Sequence, residues 1–189
     1  LKILPFVHMV GISGALAMGN SHSGDDIDLL VITKANLLWT TRFFVNVLLF
    51  PVKRKPGTKS SNNHACLNLF LDESDLKIKG QNIYQAHEIC QLKPLWQRNN
   101  AYSNFIKANS WVKKYLPNWK APSVATSRSI DFSLITSHLS LVEIFFKKLQ
   151  LFYMKRKIST EKVGEYQLFF HPANTEERVL KEYKKRIKS

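Results

Sequence analysis

Cysteine is scarce in this chain: Cys66 and Cys90 are the two, and neither stands in a CxxC pair. That argues against a zinc ribbon and against a disulfide-stapled scaffold, and it fits a reduced, cytoplasmic setting. Acids are scarce as well, 14 against 28 Lys and Arg, which leaves a formal net charge of +14. An excess of that size suggests an anionic partner such as nucleic acid, a nucleotide or a membrane surface. No hydrophobic run reaches the length of a transmembrane span. The most apolar window, Leu134 to Met154, is interrupted by Glu143, Lys147 and Lys148. No signal peptide, internal repeat or low-complexity tract is visible, and Leu1 falls within an apolar run, so the natural N-terminus is expected upstream.

What is present is a chain of 189 residues, 44% hydrophobic and 12% aromatic, enough to bury an ordinary core. The length suits one domain, or one domain with a helical appendage. Its most informative stretch runs from Val10 to Thr33, VGISGALAMGNSHSGDDIDLLVIT. An apolar run, Phe6 to Ile12, ends in Ser13-Gly14-Ala15. A loop rich in Gly, Ser and Asn follows, and then Asp25, Asp26 and Asp28 lead into Leu29-Leu30-Val31-Ile32. Residues two apart in a strand share a face, so Asp26 and Asp28 aim together while Ile27 points to the core. Two carboxylates on one face repel unless a cation neutralises them, and oxygen donors suit a hard ion, Mg²⁺ or Mn²⁺. If Ala15 opens a helix, its first backbone N–H groups offer a phosphate cradle next to that acid pair.

Strand, small-residue turn, helix start and Asp-Ile-Asp resembles the nucleotidyltransferase superfamily, the DNA polymerase beta-like fold. The pattern there is Gly-Ser or Gly-Gly, a spacer of roughly ten residues, and Asp-x-Asp among apolar residues; here it reads Gly14-Ala15 and Asp26-Ile27-Asp28. Downstream text, CLNLFL, NIYQAHEICQLKPLW and KANSWVKKYLPN, is similar to that of uncharacterised bacterial nucleotidyltransferase-domain proteins. The resemblance implies an α+β fold, a small mixed β-sheet flanked by helices, followed by a mainly α-helical C-terminal region. It also implies Mg²⁺-dependent transfer of a nucleoside monophosphate from a nucleoside triphosphate, ATP included, to an acceptor that the sequence does not name. Asp26 and Asp28 would hold the metal and carry catalysis, and Ser13, Gly14, Ala15 and Ser23 would lie against the phosphates. Two departures stand out. Ala15 occupies a position that usually carries a serine hydroxyl. Asn68, in the strand ACLNLFL, occupies the place of a third carboxylate, and an amide can neither neutralise a second cation nor take a proton. Asp72 and Glu73 are candidate substitutes by a shifted register. The alternative is therefore a catalytically impaired module that binds nucleic acid or a partner protein through its basic surface.

The rest of the chain supplies scaffold. Strands are expected over Phe6–Ile12, Ile27–Thr33 and Ala65–Leu71, and helices over 37–50, capped by Asn36, and 84–92. Residues 94–114 read as a helix pair. Arg42 reads as a helix-surface arginine, and the basic loop 51–63 as a solvated segment with Lys53, Arg54, Lys55 and Lys59. The adjacent His87 and Glu88 diverge by ~100° on a helix and make a poor chelate. The Pro- and Ser-containing stretch after Asn118 divides a core, 1–118, from a helical region, 119–189. Its long helix, 129–157, is expected to pack Leu134, Leu141, Phe145, Leu149 and Phe152 against the core.

Overall fold

The computed structural model describes residues 1–54, 64–127, 136–155, 162–170 and 174–188. The elements run β1 (Val7–Ile12), α1 (Gly14–Ala17), β2 (Ile27–Thr33), α2 (Leu38–Leu48), β3 (Ala65–Asp72), α3 (Ile83–Gln91), β4 (Lys93–Gln97), α4 (Ala101–Ala108) and a 3₁₀ turn (Ser110–Lys114). They continue with α5 (Thr136–Met154), β5 (Lys162–Val163), β6 (Gln167–Phe169) and α6 (Asn174–Lys188). The fold is α+β, with a six-stranded sheet in the order β4-β1-β2-β3-β6-β5. The sheet is mixed: β2 and β3 run parallel, joined through α2, and the other pairs are antiparallel.

β2 shows why the sheet sits at the centre. Leu30 and Ile32 enter one hydrophobic core with Met9, Ile89, Leu92 and Phe105, beneath α3 and α4. Leu29 and Val31 enter a second core with Trp39, Val45 and Phe70, beneath α2. A strand covered on both faces needs apolar residues at consecutive positions, as this one has. Across from it, β3 carries a bulge. Leu29 pairs with Leu67 and Leu30 with Leu69, so Asn68 is the extra residue.

Three elements depart from the sequence-based expectation. Residues 93–97 form an edge strand, β4, paired with β1, not the start of a helix pair. Pro94 is tolerated because an edge strand leaves some of its N–H groups unpaired. Residues 162–169 form a hairpin whose β6 pairs with β3, so the C-terminal region contributes two strands as well as its helices. Asn36 does not cap α2; it adopts φ 60°, the left-handed region that Asn tolerates. The acceptors are instead carboxylates brought from elsewhere. Asp72 accepts from the N–H groups of Asn36 and Leu37, and Glu143 of α5 accepts from those of Trp39 and Thr40 at 2.7 and 2.8 Å.

That capping also turns α5 over. Its inward face carries Glu143, Phe146, Gln150 and Met154, with Gln150 donating to the Trp39 carbonyl at 2.7 Å. Leu141, Phe145, Leu149 and Phe152, expected to be buried, are 68%, 61%, 45% and 77% exposed. Leu134 lies outside the described residues, as do the ends of the expected helix, 129–135 and 156–157.

Candidate functional site

β1 and β2 form a hairpin around the short helix α1, and this brings the two halves of the motif together. The Ser13 N–H donates to the Asp28 carbonyl at 2.9 Å. Gly14 adopts φ +65°, and a Cβ there would fall well inside van der Waals contact distance of Asp28 Oδ2. Glycine is required at this position on two counts, the left-handed backbone and the close approach of the carboxylate. The glycine turn and the second acid of Asp-Ile-Asp are therefore in direct contact.

Asn68 also reaches this point. The bulge in β3 lets its Nδ2 donate to Asp28 Oδ1, while its own Oδ1 accepts from the Cys66 thiol at 2.9 Å. The strand position expected to face the acid pair thus does so, with an amide in place of a carboxylate. Asp72 and Glu73 do not reach the site. Asp72 pairs with Thr33, at the far end of β2 from Asp28, where it caps α2. Glu73 lies 2.7 Å from His8 Nδ1.

Asp26 is 8% exposed, and its Oδ2 pairs with Arg54 Nη1 at 2.8 Å. Its Oδ1 is buried without a hydrogen-bond partner among the described residues. A buried carboxylate oxygen in that state is costly unless something positive or protic meets it. Asp25 turns aside, accepting from the His22 N–H at 2.7 Å, and Ser23 sits in an exposed turn. Ser13 is half-buried beside a cavity and makes no capping bond to α1. Ala15 lies in α1, which is a single turn of four residues. Arg42 is structural: its guanidinium packs over Phe170, 4.7 Å from the ring centroid, and donates to Gln150. Lys53 donates to Asn46; Lys55 and Lys59 lie outside the described residues.

The cavity, about 700 Å³, opens between β2, β3, α3 and the β5–β6 hairpin. Leu30, Leu69 and Ile89 contribute apolar surface, and Ser13, Tyr84 and Glu88 contribute polar groups. Glu88, set aside in the sequence as half of a poor chelate with His87, lines this cavity. Burial, and next the charge of Asp28, raise its pKa, opposed by a hydrogen bond from Tyr84. The Tyr84 phenol is pushed up to about 12 by burial, then by Glu88, Glu176 and Asp28. Burial also raises the Cys66 thiol to about 11, with Asp28 and Asp26 adding to the effect, so Cys66 stays protonated and is no nucleophile at neutral pH. The i, i+4 spacing of Tyr84 and Glu88 on a helix was the available signal. Their common place in the cavity wall depends on how α3 lies on the sheet. His87, beside Glu88, is exposed.

Among the described residues no group of three His, Cys, Asp or Glu has the geometry to hold a metal ion. The donors that fit a hard cation are the orphaned Asp26 Oδ1 and the Asp28 carboxylate. Mg²⁺ is commonly held by one or two carboxylates, with substrate phosphates and water completing its shell. No protein-family model matches the chain, and no curated protein matches it.

Proposed function

We propose that the chain is a nucleotidyltransferase that moves a nucleoside monophosphate from a nucleoside triphosphate to an acceptor hydroxyl. The contact between Gly14 and the Asp28 carboxylate carries this reading, because it joins a turn suited to phosphate to an acid pair suited to a cation. The cavity bordered by Ser13, the residue before Gly14, is large enough for a nucleoside.

In this reading Asp26 and Asp28 would hold Mg²⁺ or Mn²⁺, and the buried Asp26 Oδ1, which has no hydrogen-bond partner among the described residues, supports it. Held by these two carboxylates, such an ion would supply positive charge against that developing on the transferred and leaving phosphates. Asn68 fixes the Asp28 rotamer through its amide donor. Ser13, Gly14 and the Ala15 amide border the triphosphate, and the Ser13 hydroxyl takes up part of the role for which Ala15 has no group. Ser23 would have to approach by movement of its exposed turn. Arg54 holds Asp26 in place and contributes positive charge next to the phosphates.

The test is calorimetry with Mn²⁺ and each triphosphate in turn. Asp28→Ala is expected to abolish metal-dependent binding while circular dichroism and the unfolding midpoint remain close to wild type. Binding that survives in both Asp28→Ala and Asp26→Ala would refute the assignment.

A second reading has its own observation in the Asp26–Arg54 pair, where a protein cation already neutralises one acid. On that reading catalysis is lost, and a chain of net charge +14 uses its basic surface to bind nucleic acid or a partner protein.

A further inference from the structure

The polarity of α5 is inverted. Its polar anchors, Glu143 and Gln150, face inward, where they meet the Trp39 and Thr40 N–H groups and the Trp39 carbonyl. On the opposite side Leu141, Phe145, Lys148, Phe152 and Lys155 follow one another at alternating steps of four and three residues, and all are exposed. That spacing makes them a single stripe. An apolar stripe normally lies against a core, and this one faces out. α2 extends it: Phe44 and Val47, with Phe50 just beyond the helix, are exposed as well. The two surfaces are continuous, because the Phe146 ring lies 5.8 Å from that of Phe44 and 5.5 Å from that of Phe145. A contiguous apolar surface of this kind marks an interaction site.

Its charge identifies the partner. From Lys34 to Leu71 the sequence has no Asp or Glu, and α5 has a single acid, Glu143, which is turned inward. The exposed surface described for these helices therefore carries lysines and no carboxylate. A second copy of the chain fits poorly. Pairing the stripe with itself would place Lys148 and Lys155 in the seam with no acid opposite, between two chains of net charge +14. A nucleic acid strand stacks its bases on aromatic rings, and Leu141, Ile144, Leu149 and Val47 offer none. Lipid fits both parts of the surface. Aliphatic and aromatic side chains enter the acyl boundary, while lysines on long stems reach the phosphates. We propose that α2 and α5 dock the protein in the plane of an anionic lipid surface. The cavity lies on the other side of the sheet. Its Leu30, Ile89 and Phe105 belong to the core beneath α3 and α4, whereas α2 and α5 cover the second core. Docking therefore leaves the cavity clear of the lipid.

The test is flotation of the full chain with vesicles of phosphatidylcholine alone and of phosphatidylcholine mixed with phosphatidylserine. Wild type is expected to bind the mixed vesicles and to be released by salt. The double variant Phe145→Ser, Phe152→Ser is expected to lose about tenfold or more in vesicle partition, with its circular dichroism and unfolding midpoint retained. Lys148→Glu combined with Lys155→Glu is expected to remove the preference for phosphatidylserine. The measurement uses neither metal nor triphosphate, so its outcome is independent of the transferase reading. No binding to either vesicle, equal binding to both, or unchanged binding in the phenylalanine variant overturns the inference. So does a wild-type dimer in analytical ultracentrifugation that the phenylalanine variant abolishes. An affinity for single-stranded oligonucleotide that this variant abolishes, with no vesicle binding in wild type, overturns it in favour of nucleic acid.

Discussion

Gly14 and Asp28 are so close that each restricts the other. The left-handed backbone of Gly14 alone would cost a side-chain-bearing residue on the order of 1–3 kcal/mol. A methyl group would in addition have to displace the Asp28 carboxylate. Gly14→Ala is therefore expected to lower stability by at least that order and to weaken Mn²⁺-dependent nucleotide binding further, because the carboxylate is pushed off its position. Chemical denaturation and calorimetry on the same protein check both effects; a variant with wild-type stability and wild-type affinity would show that the contact has no consequence. Asn68 belongs to the same argument. Read in the sequence it is a lost carboxylate; in the fold it is a hydrogen-bond donor on the carboxylate that remains.

At the level of elements, α2 and α5 show why an apolar pattern can mislead. A helix start leaves four N–H groups without partners. α2 has no side-chain cap of its own, and its first turn is buried, so its donors must be met from elsewhere in the chain. Glu143 meets those of Trp39 and Thr40, and Gln150 meets the Trp39 carbonyl. Those polar contacts orient α5 and leave Phe152 exposed. Glu143→Ala is expected to cost about 1–2 kcal/mol, the usual range for a lost helix N-cap. Phe152→Ser, at a position 77% exposed, is expected to change stability by less than about 0.5 kcal/mol. Urea denaturation of the two variants compares them directly. If Phe152→Ser proves the more damaging, α5 is not oriented as described.

For the molecule as a whole, the net charge of +14 and the acid cluster pull in opposite directions. Polyanion binding by the basic surface releases counterions, so its affinity should fall linearly on a log–log plot against salt, with a slope of about −0.9 per duplex phosphate contacted. Asp28→Ala should leave that slope unchanged while abolishing triphosphate binding. Filter binding across a salt series, with wild type and variant side by side, separates the two. If nucleic acid and triphosphate affinities fall together in the variant, one surface serves both. None of the helices in the described residues is long and apolar enough to cross a membrane.

Order along the chain was sufficient for the central strands. β2 was legible to the residue, because apolar side chains at consecutive positions after a run of acids leave few other conformations open to Ile27–Thr33. The Gly14 turn followed from local rules, since left-handed backbone is a short-range property. What lay beyond reach were contacts between residues far apart in sequence: β4 closing one edge of the sheet, the β5–β6 hairpin extending the other, and Glu143 capping a helix 103 residues away. Each is settled by which buried donor or acceptor finds a partner and by how a helix lies on the sheet. Those choices are made only in the folded chain, because a polar group on a helix has no sequence mark for the distant group it will satisfy.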